Sequence, residues 1–156
     1  GLIVAPLDPD RVLHVYQIRA AIESLACRMA AQNHSQPLQA QGAALIEAGR
    51  QAVASGSGPQ MIAADIGFHQ FIYDLAGNPL IAPALNPHLS YTQRAMGEVL
   101  TQDQSPRDIW DQHAAILLAI SQGDAQAAAD CVHQHLMQAS GYMVTRLKER
   151  SSTAPN

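Results

Sequence analysis

Apolar side chains recur every three or four residues through most of the chain, the spacing that places them on one face of an α-helix. Periodic stretches cover about residues 9–31, 35–53, 59–76, 106–123 and 124–150. The first predicts an apolar face at Val12, Val15, Ile18, Ile22, Leu25, Ala26 and Met29. No pair of alternating segments predicts a β-hairpin. The pattern therefore predicts an all-α bundle of six or seven helices.

Capping residues and prolines divide this pattern into helices. Residues suited to helix ends occur at Asp8–Pro9, Ser35, Gly77, Ser105–Pro106 and Asp124. Pro83 and Pro87 are expected to split the stretch after residue 79 into a short helix and a longer one that reaches about Gln102. The last helix is expected to end near Arg150, and residues 151–156 are expected to form a disordered tail.

Composition narrows the class of protein. The 156 residues are 47% apolar and 14% charged, with a net charge of −4 and nine scattered basic residues. A nucleic-acid surface would need a basic patch, and none is visible. No apolar run approaches the roughly 18 residues of a membrane span, and residues 1–8 do not show the pattern of a signal peptide. Cys27 and Cys131 lie apart in alanine-rich helices, which indicates reduced thiols and a cytoplasmic protein.

Four potential metal ligands fall on the apolar faces. Asp65 and His69 are four residues apart on one predicted helix, His113 lies on the next long apolar helix, and His135 on the last. An ionised carboxylate buried alone costs several kcal/mol, and a divalent cation would offset that cost. Asp and three His suit Zn²⁺, which is the first expectation, as well as Ni²⁺, Fe²⁺, Co²⁺ and Mn²⁺.

A second interpretation stays open for each of these residues. A single histidine on an apolar face can be a hydrogen-bonded core residue, and Asp65 can simply bond His69 across one turn. The remaining histidines lie near helix ends or off the apolar faces and are expected to be structural or exposed. They are His14, His34, His88 and His133.

Three segments together resemble a known family. They are "VYQIRAAIESLACRMAA" (15–31), "DIGFHQFIYDLAGNPLI" (65–81) and "DQHAAILLAISQGDAQAAADCVHQHL" (111–136). Over residues 9–150 the chain resembles the C-terminal effector-binding (FCD) domain of GntR-superfamily transcription regulators, FadR subfamily. The resemblance implies an antiparallel helical bundle with an internal cavity, a homodimer, and a metal site at Asp65, His69, His113 and His135. Residues 1–8 resemble the end of the wing of an N-terminal winged-helix domain, which would carry the contacts with DNA.

A metal held by one carboxylate and three neutral imidazoles keeps about one positive charge, so the expected effector is a small carboxylate, such as an organic or sugar acid. Arg19 is the first candidate for a second carboxylate anchor, and an ion pair with Glu23 is an equal alternative. Further candidates for effector contact are Arg94, Tyr16, Asn78 and Tyr91.

Two other functional classes compete with a sensor. A metal with an open position could serve a hydrolase or lyase, but no second base is placed beside the four ligands, so an enzyme is not expected. A structural bundle without ligand is the other alternative.

Overall fold

A computed structural model describes residues 6–33, 36–100 and 108–153. Within these ranges the chain forms six α-helices and no strand, which confirms the all-α prediction. The helices are α1 (Pro9–Gln32), α2 (Gln36–Ser55), α3 (Gly58–Ala76), α4 (Ile81–Leu100), α5 (Asp108–Ser121) and α6 (Ala125–Thr153). In the part of the chain so described, no helix is both long and apolar enough to cross a membrane.

Three predicted helix ends are confirmed. Asp8 caps α1 by accepting a hydrogen bond from the Asp10 backbone N–H, with a proline at the first helical position. Gly77 ends α3 at φ 71°, a left-handed conformation that glycine adopts without a steric penalty. Asp124 caps α6 through its carboxylate and the Ala127 N–H, 3.0 Å apart. The predicted starts at Ser35 and at Ser105–Pro106 lie outside the described residues.

Two predicted boundaries are wrong. Helix α4 is continuous through Pro83 and Pro87. Pro83 lies in the first turn, where a backbone N–H has no helical partner to lose, and Pro87 lies on the exposed side, where water can bond the carbonyl that it leaves free. Helix α6 continues through Thr153, so residues 151–153 are helical where a disordered tail was expected. Residues 154–156 lie outside the described part.

The buried face of α1 also differs from the prediction. Ile18 and Leu25, expected to be buried, are 48% and 46% exposed. Val12, Val15 and Ala26 are buried as predicted, and the rest of the buried side carries mainly small and polar residues, namely Tyr16, Arg19, Ala20, Glu23, Cys27 and Ala30. Alanines let two helices approach closely, and α1 packs mainly along α6, where Ser24 Oγ lies 3.5 Å from the Ala129 carbonyl oxygen.

Helix α2 packs on α3 and α5, on the side of the bundle opposite the contact between α1 and α6. A close approach fixes this contact: a Cβ added to Gly49 would lie 2.1 Å from two atoms of the Trp110 indole. Only glycine leaves room for the indole at this position. Helices α1, α3, α5 and α6 thus enclose a polar cluster, with Trp110 between that cluster and α2.

Candidate metal centre

Asp65 and His69 on α3, His113 on α5 and His135 on α6 converge in the bundle interior. Each offers one ligand atom, and all four atoms lie within 4.8 Å of one another. His113 Nε2 is 3.3 Å from Asp65 Oδ1 and 3.2 Å from His135 Nε2. His69 Nε2 lies 3.7 Å from the same Asp65 oxygen. The structure thus brings together all four residues that the apolar faces singled out.

Packing holds these side chains in place. The three imidazoles are buried, and Asp65 keeps 13% of its side chain exposed. Phe68 stacks on the His113 ring at 4.3 Å between centroids, and Trp110 meets the same ring edge-on at 4.6 Å. Aromatic contacts of this kind restrict ring rotation. The ligand atoms are therefore positioned by the surrounding core.

The three histidines and the aspartate of the cluster differ in the direction in which their pKa values are shifted. Burial lowers the pKa of His69, but the carboxylates of Glu23 and Asp65 outweigh burial and raise it to about 9. Burial raises the pKa of Asp65, yet His69 and His113 hold it well below its usual value. Burial lowers the pKa values of both His113 and His135. Near neutral pH, His69 is therefore a charged imidazolium, Asp65 is ionised, and His113 and His135 are neutral.

The residues fit a divalent metal. Two neighbouring nitrogen or oxygen ligands of one metal, each at about 2.1 Å, lie roughly 3.0–3.4 Å apart. The separations of His113 Nε2 from Asp65 and from His135, 3.3 and 3.2 Å, fall in this range, and the 3.7 Å from His69 Nε2 to Asp65 lies a few tenths of an ångström beyond it. The donor set of one carboxylate and three imidazoles is borderline in softness and suits Zn²⁺ and its first-row neighbours.

Two supporting residues orient the imidazoles, and sequence reasoning missed their roles. Glu23 Oε1 lies 2.5 Å from His69 Nδ1, and Gln112 Oε1 lies 2.6 Å from His135 Nδ1. Each contact occupies Nδ1 and leaves Nε2 toward the cluster. The sequence pattern indicates Glu23 only as a partner for Arg19. Helical spacing from Tyr16 and Ala20 could have placed Glu23 on the buried face, and spacing from Ile109 and Ile116 could have placed Gln112 on the inner side of α5.

A cavity of about 240 Å³ opens beside the cluster. Its wall includes Asp65, His69 and His135, together with the predicted effector residues Arg19 and Tyr16. The remaining lining is Met61, Met96, Leu100, Ile109, Trp110, Gln112, Leu136, Gln138, Ala139, Tyr142 and Met143. A metal at the cluster would therefore face a space large enough for a small molecule.

Three predicted effector residues are not in this wall. Asn78 Oδ1 accepts a hydrogen bond from the Leu80 N–H at 3.0 Å, in the turn before α4. The Tyr91 hydroxyl accepts one from the Asp8 N–H at 3.2 Å. Arg94 is half-buried on α4 and is not among the lining residues.

Arg19 forms the expected ion pair with Glu23 and also lines the cavity. Its Nε donates to Glu23 Oε2 at 2.7 Å, so the ion pair exists, but it is buried rather than on the surface. Its Nη1 lies 3.4 Å from Thr92 Oγ1, and its Nη2 has no hydrogen-bond partner within the described residues. Burial raises the pKa of Glu23, but Arg19 and His69 outweigh it and lower that pKa to about 2. Glu23 is therefore an anion at neutral pH.

The other three histidines of the described residues are not part of the cluster. His14 and His133 are exposed and His88 is half-buried, in agreement with their expected roles, and His34 lies outside the described residues. His133 is only two residues from His135, yet it lies on the opposite side of α6.

Comparison with known proteins identifies the family. A family model for the FCD domain matches residues 14–138. The solved structure of E. coli McbR/YncC aligns with a TM-score of 0.78 at 18% identity, over 85% of this chain and 67% of that one. Streptococcus agalactiae GntR aligns with a TM-score of 0.70 at 19% identity, over 86% of this chain and 60% of that one.

The chain thus spans about two thirds or less of the length of these structures. A search of curated proteins found no match. The family match covers most of the chain, and the six helices have the fold of the two regulators. The chain belongs to the FCD domain family, the effector-binding domain of GntR-superfamily transcription regulators.

Proposed function

We propose that this effector-sensing domain binds one divalent metal, Zn²⁺ first, through Asp65, His69, His113 and His135, and a small carboxylate beside it. The convergence of the four ligand atoms within 4.8 Å, at the wall of the 240 Å³ cavity, carries this proposal. Three separate helices supply these atoms. A buried cluster of this composition is costly unless a cation or protons compensate its carboxylates.

The chain's own residues would prepare the site. Glu23 and Gln112 accept from Nδ1 of His69 and His135, so that Nε2 of each ring is left for the metal. When bound, the metal supplies a Lewis-acid centre for carboxylate and hydroxyl oxygens. Arg19 offers Nη2 as a further donor to a carboxylate.

Sensing fits the cavity better than the alternative of a metal-dependent hydrolase or lyase. General acid–base catalysis needs a side chain free to take a proton near the reacting atoms. Glu23, the nearest further carboxylate, has one oxygen on His69 and the other on Arg19. Apart from Asp65, the described lining holds no other carboxylate. FCD domains are regulatory domains, which agrees with this assignment.

In the whole regulator, the effector would contact walls supplied by several helices and change their relative packing. We propose that the domain acts as a homodimer, so that this change alters the spacing of the attached DNA-binding domains. DNA would be contacted by those N-terminal domains.

Metal content of purified protein tests the site. We expect about one metal per chain by plasma mass spectrometry in the wild type and in His133→Ala, the matched control two residues from a ligand. His135→Ala, His113→Ala, His69→Ala and Asp65→Ala should each lower the occupancy and abolish the gain in melting temperature on adding Zn²⁺. Full occupancy in all four variants would contradict the assignment. Turnover of an ester or amide lost in His113→Ala would instead support the hydrolase.

A further inference from the structure

We infer that the effector is a monocarboxylate with an apolar body, not a polyhydroxy or polycarboxylic acid. Its carboxyl end would meet the metal and Arg19, and its chain or ring would fill the rest of the cavity. This inference rests on the proposed function, because it takes the metal cluster as the anchoring end of the same site.

Polar groups line one end of the cavity. Asp65, His69, His135 and Arg19 are joined by short contacts, directly or through Glu23 and His113. The remaining wall is mostly apolar and is supplied by Met61, Met96, Leu100, Ile109, Trp110, Leu136, Ala139 and Met143; its polar members are Tyr16, Gln112, Gln138 and Tyr142. Gln112 already donates to Gln138 at 2.7 Å. A ligand that bonds the polar end must therefore place most of its other atoms against hydrocarbon and thioether groups. A chain with a hydroxyl group on every carbon would lose more hydrogen bonds to water than these few polar residues can replace.

Two helices show how far the apolar region extends from the cluster. Met143 follows His135 by eight residues on α6, and Met61 precedes Asp65 by four residues on α3; both methionines line the cavity. At 1.5 Å per residue, these separations correspond to about 12 Å and about 6 Å of helix. The wall thus reaches from a metal ligand to a methionine along both helices. Methionine is flexible and polarisable, so it adapts to aliphatic and aromatic groups alike.

Charge limits the effector to one carboxylate. A divalent metal and Arg19 contribute three positive charges, while Asp65 and Glu23 contribute two negative ones when the imidazoles are neutral. One positive charge remains, and a single carboxylate neutralises it. Arg19 is the one cationic side chain in the described lining besides the histidines. A second or third carboxylate would therefore be buried without a counter-charge, which is costly.

The cavity volume sets the size. At about 30 Å³ for each water-sized group, 240 Å³ corresponds to roughly eight such groups. This matches a molecule on the order of ten non-hydrogen atoms. A 2-hydroxy acid with a chain of six to eight carbons, or with one phenyl ring, has this size and can chelate through its carboxylate and hydroxyl.

Binding of a homologous series tests this inference. Trp110 is the only tryptophan of the chain and lines the cavity, so its fluorescence reports occupancy. Zn²⁺-loaded protein is titrated with lactate, 2-hydroxybutanoate, 2-hydroxyhexanoate and 2-hydroxyoctanoate, and with gluconate and citrate. We expect Kd to fall about fourfold for each added methylene until the cavity is full. Gluconate should bind at least about tenfold more weakly than 2-hydroxyhexanoate.

Two variants link the series to the cavity wall. Met143→Gln should flatten the dependence on chain length, and Met96→Gln, at a half-buried position, provides the same test if the first variant folds poorly. Met137→Gln is the matched control, because Met137 is partly buried on the same helix but lies outside the described lining. It should keep the wild-type dependence.

The outcomes separate the two proposals. Metal binding with a Kd independent of chain length, or with citrate or gluconate preferred, overturns this inference and leaves the proposed function intact. Absence of bound metal after adding Zn²⁺, Ni²⁺ or Mn²⁺ overturns both.

Discussion

Glu23 connects the two charged parts of the site through a single side chain. One of its oxygens lies 2.5 Å from His69 Nδ1 and the other 2.7 Å from Arg19 Nε. A histidine with Nδ1 bonded to a carboxylate presents Nε2 to a metal in a fixed orientation. Glu23 is therefore a positioning residue for His69 and, through its other oxygen, for Arg19.

Replacement of this carboxylate should weaken metal binding. We expect Glu23→Gln to raise the Zn²⁺ dissociation constant by about 10- to 100-fold, because a partner of this kind sets ligand basicity and ring orientation. The metal-free variant should also be less stable, since Arg19 loses its buried counter-charge. Competition titration with a chelator measures the first effect. Glu47→Gln, at an exposed position on α2, is the control. Unchanged affinity in Glu23→Gln would exclude a role for Glu23 in positioning His69.

Sequence alone could identify the ligand candidates but not their neighbours. Asp65 and His69 share a helix face because they are four residues apart, and His113 and His135 occupy apolar faces of their own helices. Those facts depend only on local spacing. The contacts of Glu23 with His69, between α1 and α3, and of Gln112 with His135, between α5 and α6, depend on how helices pack. Arg94, Asn78 and Tyr91 lie outside the described cavity lining, which helical spacing alone does not define because the cavity wall is a tertiary feature.

At the scale of elements, the pattern of apolar residues predicted part of the buried face of α1 incorrectly. Ile18 and Leu25 are the larger apolar residues, yet they are exposed, whereas Ala26, Cys27 and Ala30 are buried. Close packing along α6 favours small side chains over large ones. The same periodicity still predicted the approximate ends of most helices in the described residues, because backbone period and capping residues are local properties. The continuous α4 shows that a proline in the first turn or on an exposed side need not end a helix.

The contact between α2 and α5 gives a test of packing at this scale. Gly49→Ala would place a methyl group 2.1 Å from the Trp110 indole, so the ring must move. We expect a loss of about 1–3 kcal/mol in the free energy of unfolding, together with a change in Trp110 fluorescence.

Gly141→Ala is the matched control for this substitution. Gly141 lies in α6, and a Cβ there would meet nothing within 4 Å. Because alanine favours helix, this variant should gain roughly 0.5–1 kcal/mol in urea unfolding. Equal stability of Gly49→Ala and the wild type would show that the indole is not confined by α2.

At the scale of the whole molecule, the charges of the cluster determine how stability of the metal-free protein depends on pH. Burial opposes the charge on His69, but Glu23 and Asp65 raise the pKa of this imidazole to about 9. The stability that protonated His69 adds to the folded state is therefore complete below about pH 6.5 and is lost as the pH rises through 9. Burial lowers the pKa values of His113 and His135, so both stay neutral in the folded protein and take up protons on unfolding below pH 6.5. The free energy of unfolding therefore falls as the pH decreases below 6.5. At Glu23 and Asp65 the neighbouring positive groups outweigh burial and lower the pKa of the carboxyl group. The stability that these two carboxylates add to the folded state is lost as the pH falls below about 4.

We therefore expect the metal-free protein to be most stable near pH 6.5. Urea unfolding in the presence of a chelator, followed by circular dichroism at pH 5, 6.5 and 9, measures this. His69→Gln should remove the decrease between pH 6.5 and 9 while keeping the decrease on the acid side. A wild-type stability that rises from pH 6.5 to 9 would contradict the charge distribution described above.

The shared carboxylate of Glu23 has a consequence for what the domain reports. A metal on His69 and an effector on Arg19 would each act on the same anion, so their binding free energies are coupled. Thermodynamic reciprocity then requires the effector to change metal affinity by the same factor by which the metal changes effector affinity. The state of such a domain would depend on the concentrations of both the metal and the effector. Its response to the effector would weaken under metal starvation, and abundant effector would protect the metal from chelators.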